Sequence, residues 1–536
     1  MTPRCRPLLL LPALLLLGCP TACTSVHAPE DRAHVARPDW NAADHHRQAT
    51  DLLRQGKDYS RAIAHAREAV RQQPENREYQ RALGAACASR AASLAYAYQW
   101  TYGLEQARKD YPEELAEWQA KKAEAEQNGE TFLDSPPDQP PVGLVLKTKD
   151  DGKPFTLSAQ QVEKEVVRLS VDALQAFGRA VALSTTPPEK ADAQYQRGWA
   201  LLLLRYHLAS LDQIKAQKQG MDVRFKSEDD LPSPVRDEVV REAKSGPITV
   251  SAARQAFEEA TRWAPDSARY WESLGCALHG FYPDDGRGLL VEALAQKDDA
   301  ANAAWLAALE RDPSNAALWY KVAERTERQR ARRYFQKAAE ADPTNAAPLY
   351  RMAALDFEDA PYQNLYQART RKSYDAAPGR VAEREARSPA AQKAAQQALE
   401  AVLRGNGRAV YRYPYYRPPV PELLAGAWDN CTTPSFNFPS QNSSMRALAR
   451  NLCGYAYSLA EQGNQTAAER VLQADLEVAA KMMADWPLRD ITRGGFELIT
   501  HMTGFAVAIT AHDARRDIYL KAGDVPSLKS VMHLVC

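Results

Sequence analysis

Along this chain, small and apolar residues return at intervals of four and three, the spacing that places side chains on one face of a helix. Ala301, Trp305 and Ala308 show it, and Pro313 follows five residues later. Ala331, Phe335, Ala338 and Pro343 repeat the same four places, as do Ala253, Phe257, Ala260 and Pro265, and Ala62, Ala66, Ala69 and Pro74. Ala173, Phe177 and Ala180 match the first three, with proline arriving two residues late at Pro187. Each unit predicts a helix with a small–large–small stripe. The alanines let a neighbouring helix come close, the ring fills the gap between them, and the proline ends the helix. Trp305 and Phe335 are therefore expected to be buried.

A second helix follows each proline. RDPSNAALWY (Arg311–Tyr320) and ADPTNAAPLY (Ala341–Tyr350) are two copies of this junction, thirty residues apart. One helix stops at Asp-Pro, and a Ser or Asn side chain caps the next by accepting hydrogen bonds from its first amides. After Pro265 that next helix carries Trp271, Leu274 and Gly275; after Pro74 it carries Tyr79, Leu83 and Gly84.

A helix with aromatic, Leu and Gly, paired with one carrying Ala, aromatic, Ala and Pro, resembles the tetratricopeptide repeat (TPR), a helix hairpin of about 34 residues. The resemblance covers 45–95 and 166–355, with Leu452–Leu472 a loose further copy. It implies an all-α fold: a TPR-like helix-hairpin solenoid with irregular insertions and a C-terminal helical domain. The period departs from the family, since Pro265 to Pro313 is 48 residues and Pro313 to Pro343 is 30. Irregular stacking is expected between 280 and 300.

The expected segments are TPR-like helices over 45–125, 166–214 and 251–404, followed by a C-terminal helical domain over 446–536. Residues 126–165 interrupt them with a proline-rich spacer and a possible β-hairpin about Asp151-Gly152. Residues 215–250 form a charged insertion ending at a cap expected at Ser251. Residues 405–445 mix Tyr411, Tyr413, Tyr415 and Tyr416 with Pro414, Pro418, Pro419 and Pro421, a composition that predicts loop. Those rings either clamp the loop onto the last repeats, the favoured alternative, or stack on a glycan or partner protein.

The chain begins MTPRCRPLLLLPALLLLGCPTAC. Arginines at Arg4 and Arg6 followed by an apolar run from Leu8 to Leu17 describe a secretory signal, too short for a membrane span. Leu16-Leu17-Gly18-Cys19 resembles the bacterial lipobox, which implies removal of 1–18, diacylation of Cys19 and a tether over 19–44. Cys23 is the poorer candidate, because Pro20 stands where the motif prefers leucine. Pro20 after Cys19, instead of aspartate, directs the expectation to the outer membrane, facing the periplasm.

Charge adds little beyond an exclusion. The 68 basic and 68 acidic residues cancel, which argues against nucleic acid as partner. The cysteines form no CxxC pair; Cys431 with Cys453 is the nearest couple for a disulfide, while Cys87 and Cys276 fall inside helical patterns as small apolar groups. No HExxH, phosphate loop, dinucleotide fingerprint or GxSxG is present, so neither metal nor cofactor is expected, and the chain is read as a non-enzyme. An enzyme or enzyme subunit remains the alternative, with Glu497, His501, His512 and Asp513 the polar residues of interest in the C-terminal domain. A soluble secreted adaptor is a further alternative.

In the family, first helices line a concave groove that takes ligands. On the matching helices those places hold Glu78, Arg81, Ser89 and Arg90 in the first unit. They hold Arg269, Glu272 and His279 in the fourth, and Tyr320, Glu324, Glu327 and Arg328 in the fifth. The family's carboxylate-clamping Lys and Asn are missing, so a peptide or partner helix suits this groove better than an acidic tail. The resulting expectation is a lipid-anchored protein-interaction scaffold of the bacterial cell envelope.

Overall fold

The computed structural model describes residues 40–128, 136–137, 139–140, 157–218, 234–279, 291–358, 360–370, 376–412, 416–431, 438–484 and 495–523. These form nineteen helices and no strand, with one isolated parallel bridge between Asn345 and Val410. In chain order the first nine are α1 (Ala42–Arg54), α2 (Tyr59–Gln72), α3 (Arg77–Gln127), α4 (Ala159–Leu183), α5 (Pro187–Lys218), α6 (Pro234–Ala243), α7 (Val250–Trp263), α8 (Ala268–His279) and α9 (Val291–Arg311). Then come α10 (Ala316–Ala323), α11 (Arg328–Ala341), α12 (Ala347–Asp356), α13 (Tyr362–Thr370), α14 (Ala376–Ala386) and α15 (Pro389–Asn406). The last are α16 (Glu422–Cys431), α17 (Phe438–Glu461), α18 (Gln465–Ala484) and α19 (Gly495–Ala522). The fold is all-α and TPR-like, and its helices divide between two compact units. The N-terminal unit runs to Arg311 and takes in the segment beginning at Pro418; the C-terminal unit holds Asp312–Arg417 and α17 to α19.

In the N-terminal unit α1 pairs with α2, α3 with α4, α5 with α7 and α8 with α9, while α2 also meets α3, α4 meets α5 and α7 meets α8. The first helices α1, α3 and α5 touch one another in turn, the arrangement of stacked hairpins. Three of these hairpins, α3/α4, α5/α7 and α8/α9, are closed by a glycine facing a ring. A Cβ on Gly84 would come within 2.9 Å of Phe177, on Gly198 within 2.6 Å of Phe257, and on Gly275 within 2.3 Å of the Trp305 indole. Only glycine lets the first helix approach so closely, and the ring then fills the space. Trp305 is 0% exposed, Phe335 1%, and Ala62, Ala66, Ala253, Ala260 and Ala301 0%. Burying a ring of this kind is worth about 3–5 kcal/mol against Ala.

The proline junctions share a lock. The indole N–H groups of Trp271 and Trp319 donate to the carbonyls of Pro265 (2.8 Å) and Pro313 (3.0 Å), six residues back, and the Gln80 amide does the same to Pro74 (2.9 Å). Asn315 caps α10 by accepting from the Leu318 amide at 3.0 Å, while Asp312 Oδ1 accepts from both the amide (3.1 Å) and the hydroxyl (2.6 Å) of Ser314. The copy at Ala341–Tyr350 departs from this. Leu349 stands where Trp319 does and has no N–H to give, and the Pro343 carbonyl takes the Arg408 guanidinium instead. Asn345 caps nothing in the same sense: its Oδ1 accepts from Ala347 (3.1 Å) and Arg412 (3.0 Å), and its Nδ2 donates to the Arg412 carbonyl at 2.7 Å. Accordingly α12 pairs with α15, not with α13, and Gly405 of α15 faces the Tyr350 ring.

Several expected boundaries shift. The first helices start at Ala42 because Asn41 forms a capping box with Asp44, and α7 is capped by Thr249, whose hydroxyl accepts from Ala252 at 3.1 Å, not by Ser251. The charged insertion carries α6, anchored by Asp212, which accepts from Val235 N and Arg236 Nε, both at 2.9 Å. Residues 405–445, expected as loop, contain α16 and the start of α17, since the prolines cluster ahead of Glu422 and leave ELLAGAW free to coil. Tyr411 stacks on Tyr350 at 5.8 Å and Lys321 lies over Tyr416 at 5.2 Å, ring contacts of the clamping kind. The possible hairpin about Asp151-Gly152 lies outside the described residues. Cys453 is a buried free thiol, as are Cys87 and Cys276, while the side chain of Cys431 lies outside the described residues.

Candidate interaction groove

The first helices of the N-terminal unit present their opening turns side by side. Asn76 caps α3, accepting from the amides of Glu78 (3.0 Å) and Tyr79 (3.4 Å), which sets Arg77, Glu78 and Arg81 on its first turns. The α5 turn is fixed by Glu189, whose carboxylate accepts from the amides of Thr185 (2.9 Å) and Thr186 (3.2 Å); these bonds hold its pKa down to about 2. Asp192 follows on the next turn, and Arg269 opens α8.

These side chains meet. Arg81 pairs with Glu78 at 2.7 Å and with Asp192 at 2.9 Å; Arg269 reaches the other oxygen of Asp192 at 3.2 Å. Arg77 pairs with Glu78 (2.6 Å) and Glu189 (3.3 Å). The Arg269 guanidinium also bonds the Tyr270 hydroxyl (2.8 Å) and covers the Tyr195 and Tyr270 rings at 5.1 and 4.8 Å. Three cations and three anions cancel in a continuous strip, so every guanidinium here has a carboxylate partner. Such partly exposed pairs add little stability each; they fix rotamers. Asp192 is the hub, and it was invisible among the many helical carboxylates of the sequence.

Beyond this strip the groove is occupied by the chain itself. α16 packs on α1, α3 and α5, all first helices. Leu424 and Ala427 are 1% exposed and Trp428 7%. The Trp428 ring meets Trp199 edge-on at 5.1 Å and 87°. Glu422 accepts from Arg54 Nε at 2.8 Å, and the Tyr195 hydroxyl donates to the Pro419 carbonyl just before the helix. Gly426 rests on the end of α1: a Cβ there would lie 2.7 Å from Gly56 Cα and 3.1 Å from the Leu53 carbonyl oxygen. No sequence signal marked this seat: Gly198 reads as a hairpin glycine and faces Phe257, and α16 sat within an expected loop.

The remaining expected site residues are dispersed. Glu272 is buried at 8% exposure, His279 is half-buried with its ring 5.5 Å from Trp305, and Arg90 is half-buried on α3. Tyr320 is fully buried against Phe335 (4.9 Å, 70°) and so packs its hairpin instead of lining a surface. Because α10 ends at Ala323, Glu324 falls at its C-cap, Glu327 at the N-cap of α11, and Arg328 on α11, where it donates to the Asp356 carbonyl at 3.3 Å. These belong to the C-terminal unit, away from the first set in sequence and in unit. Glu497, His501, His512 and Asp513 all fall on α19; the side chains of Glu497 and His501 lie outside the described residues, and Asp513 pairs with Arg516 at 3.2 Å. Cys19 also lies outside them. Among the described residues no helix is long and apolar enough to cross a membrane, and no group of three or more His, Cys, Asp or Glu is placed to hold a metal ion.

No protein-family model matches the chain, and no curated protein matches it. Among solved structures it is similar to a circular tandem repeat protein with novel repeat topology and enhanced subunit contact surfaces, at 12% identity over 92% of this chain and 94% of that one, TM-score 0.17. It is similar to yeast Tom70 at 11% identity over 92% of each chain, TM-score 0.15. It is also similar to a structure of Naa15/Naa10 bound to HypK-THB, at 11% identity over 92% of this chain and 88% of that one, TM-score 0.16. The fold assignment rests on the hairpins, their glycine–ring closures and their proline locks.

Proposed function

We propose that this chain is a protein-interaction scaffold whose N-terminal first helices receive a helical segment of a partner. The observation that supports this reading is the seat of α16: three first helices already accommodate a helix, with Trp428 set edge-on against Trp199. The neutral strip around Asp192 supports a peptide or helix over a free carboxylate, since its three guanidiniums are committed. The sequence at Leu16-Leu17-Gly18-Cys19 extends the proposal to a site of action, a diacylated lipoprotein of the bacterial envelope on the periplasmic face of the outer membrane. Mature bacterial lipoproteins carry more than one acyl chain, which makes anchoring firm.

Two measurements test this. Cys19→Ala is expected to move the protein from the membrane fraction to the soluble one; membrane retention of Cys19→Ala, with no lipid label on the wild type, overturns the anchor. A photo-crosslinker at Arg81 or Asp192 is expected to capture a discrete envelope protein, and capture equal to that from a crosslinker on the solvent face of α2 overturns the groove.

A further inference from the structure

α16 has the attributes of a ligand more than those of a repeat element. It is ten residues long, too short to be a stable helix alone, and it carries glycine in its middle, which weakens it further. Its partners are distant in sequence: 368 positions separate Glu422 from Arg54, and 224 separate Pro419 from Tyr195. The segment Pro418–Ser435 is lent to the N-terminal unit between two stretches that belong to the other. The three hairpins that receive it, α1/α2, α3/α4 and α5/α7, each pair within themselves.

The receiving surface is built in advance. The Trp199 ring is fixed from the side of the hairpins: its indole N–H donates to Ser273 Oγ at 3.1 Å while that hydroxyl donates to the Arg269 carbonyl at 2.7 Å. Gly56, at φ 63°, turns the end of α1 so that its backbone is bare where Gly426 arrives. Arg54 stands beside it for an acidic group. The seat therefore selects a pattern: an acidic residue on the first turn, leucine two residues on, glycine at the closest approach, and tryptophan two residues after that.

We propose that α16 is an internal surrogate ligand, holding the groove in place of an external amphipathic helix of this same pattern, which gains access by displacing it. The proposal rests on the scaffold reading and adds regulation and partner chemistry to it. A tethered occupant acts at an effective concentration on the order of millimolar, so weak or ill-matched helices are excluded and only a segment that fits the Trp199 and Gly56 contacts enters.

The test uses the full chain and a fluorescein-labelled peptide of residues 418–430. Gly426→Ala in the chain places a methyl against Gly56 and expels α16 while raising its helix propensity. Leu424→Asp removes the anchor of α16 without touching the groove. Both variants are expected to bind the peptide at least tenfold more tightly than the wild type, to become cleavable by protease within 418–435, and to ignore a peptide carrying Trp428→Ala. Variants that fold by circular dichroism yet bind no peptide, or bind no better than wild type, overturn the proposal. Peptide binding as expected, with no envelope protein captured by the Arg81 crosslinker, removes the scaffold reading alone. Equal capture by wild type and variants leaves the scaffold and removes the surrogate.

Discussion

The Trp199 indole stands between two rings: Phe257 of its own hairpin at 5.7 Å and 63°, and Trp428 of α16 at 5.1 Å and 87°. One side chain thus closes the repeat and forms the floor of the groove. Replacing the two tryptophans should separate those roles. Trp199→Ala is expected to cost about 3–5 kcal/mol in denaturant unfolding, as for a large buried ring. Trp428→Ala leaves the hairpins intact and is expected to show itself as protease cleavage within 418–435 with a much smaller change in the unfolding midpoint.

Glycine substitutions discriminate hairpin closure from helix propensity. At Gly275 a methyl would meet the Trp305 indole at 2.3 Å, whereas at Gly178 nothing lies within 4 Å. Gly275→Ala should destabilise by about 1–3 kcal/mol through overpacking, and Gly178→Ala should stabilise by up to about 1 kcal/mol. Urea titrations of the two variants check both signs.

The proline lock at Trp319 is separable from its ring. Lys337 lies over that ring at 4.3 Å, and the indole N–H reaches the Pro313 carbonyl. Trp319→Phe keeps an aromatic face and deletes the N–H, so a loss of about 0.5–1.5 kcal/mol is expected. Loss of the ring as well, in Trp319→Ala, should cost clearly more in the same assay.

Asp475 gives the C-terminal unit a pH dependence. It is 0% exposed, and among the described residues its Oδ2 meets the Cys453 thiol at 3.6 Å and its Oδ1 has no hydrogen-bond partner. Burial, opposed in part by the thiol contact, pushes its pKa up to about 8. Folded chain therefore holds a proton that unfolded chain releases near pH 4, and stability from this group falls as pH rises between about 4 and 8, by up to ~1.4 kcal/mol per pH unit. Asp475→Asn removes the ionisation, and its unfolding midpoint should exceed that of wild type at pH 8 and approach it at pH 4.

The sequence by itself determined the hairpins. Ala, ring, Ala and Pro at spacings of four, three and five specify one helix face and its end, which are local properties, so Trp305, Phe335 and the alanine stripes were legible without coordinates. The groove was legible only in part. Glu78, Arg81 and Arg269 were identifiable from their places on first helices, but their convergence on Asp192 depends on how consecutive hairpins stack across long insertions. Tyr320 looked like a surface residue because its burial comes from a ring on the following helix. Two decisions belong to tertiary structure alone: Asn345 turning from a cap into a partner for Arg412, and α16 entering a groove built by residues more than two hundred positions away. Periodicity reports what a segment does with itself. Which distant segment fills a surface is set by close approach, here the bare backbone of Gly56 against Gly426, and that complementarity leaves no periodic trace in either partner's sequence.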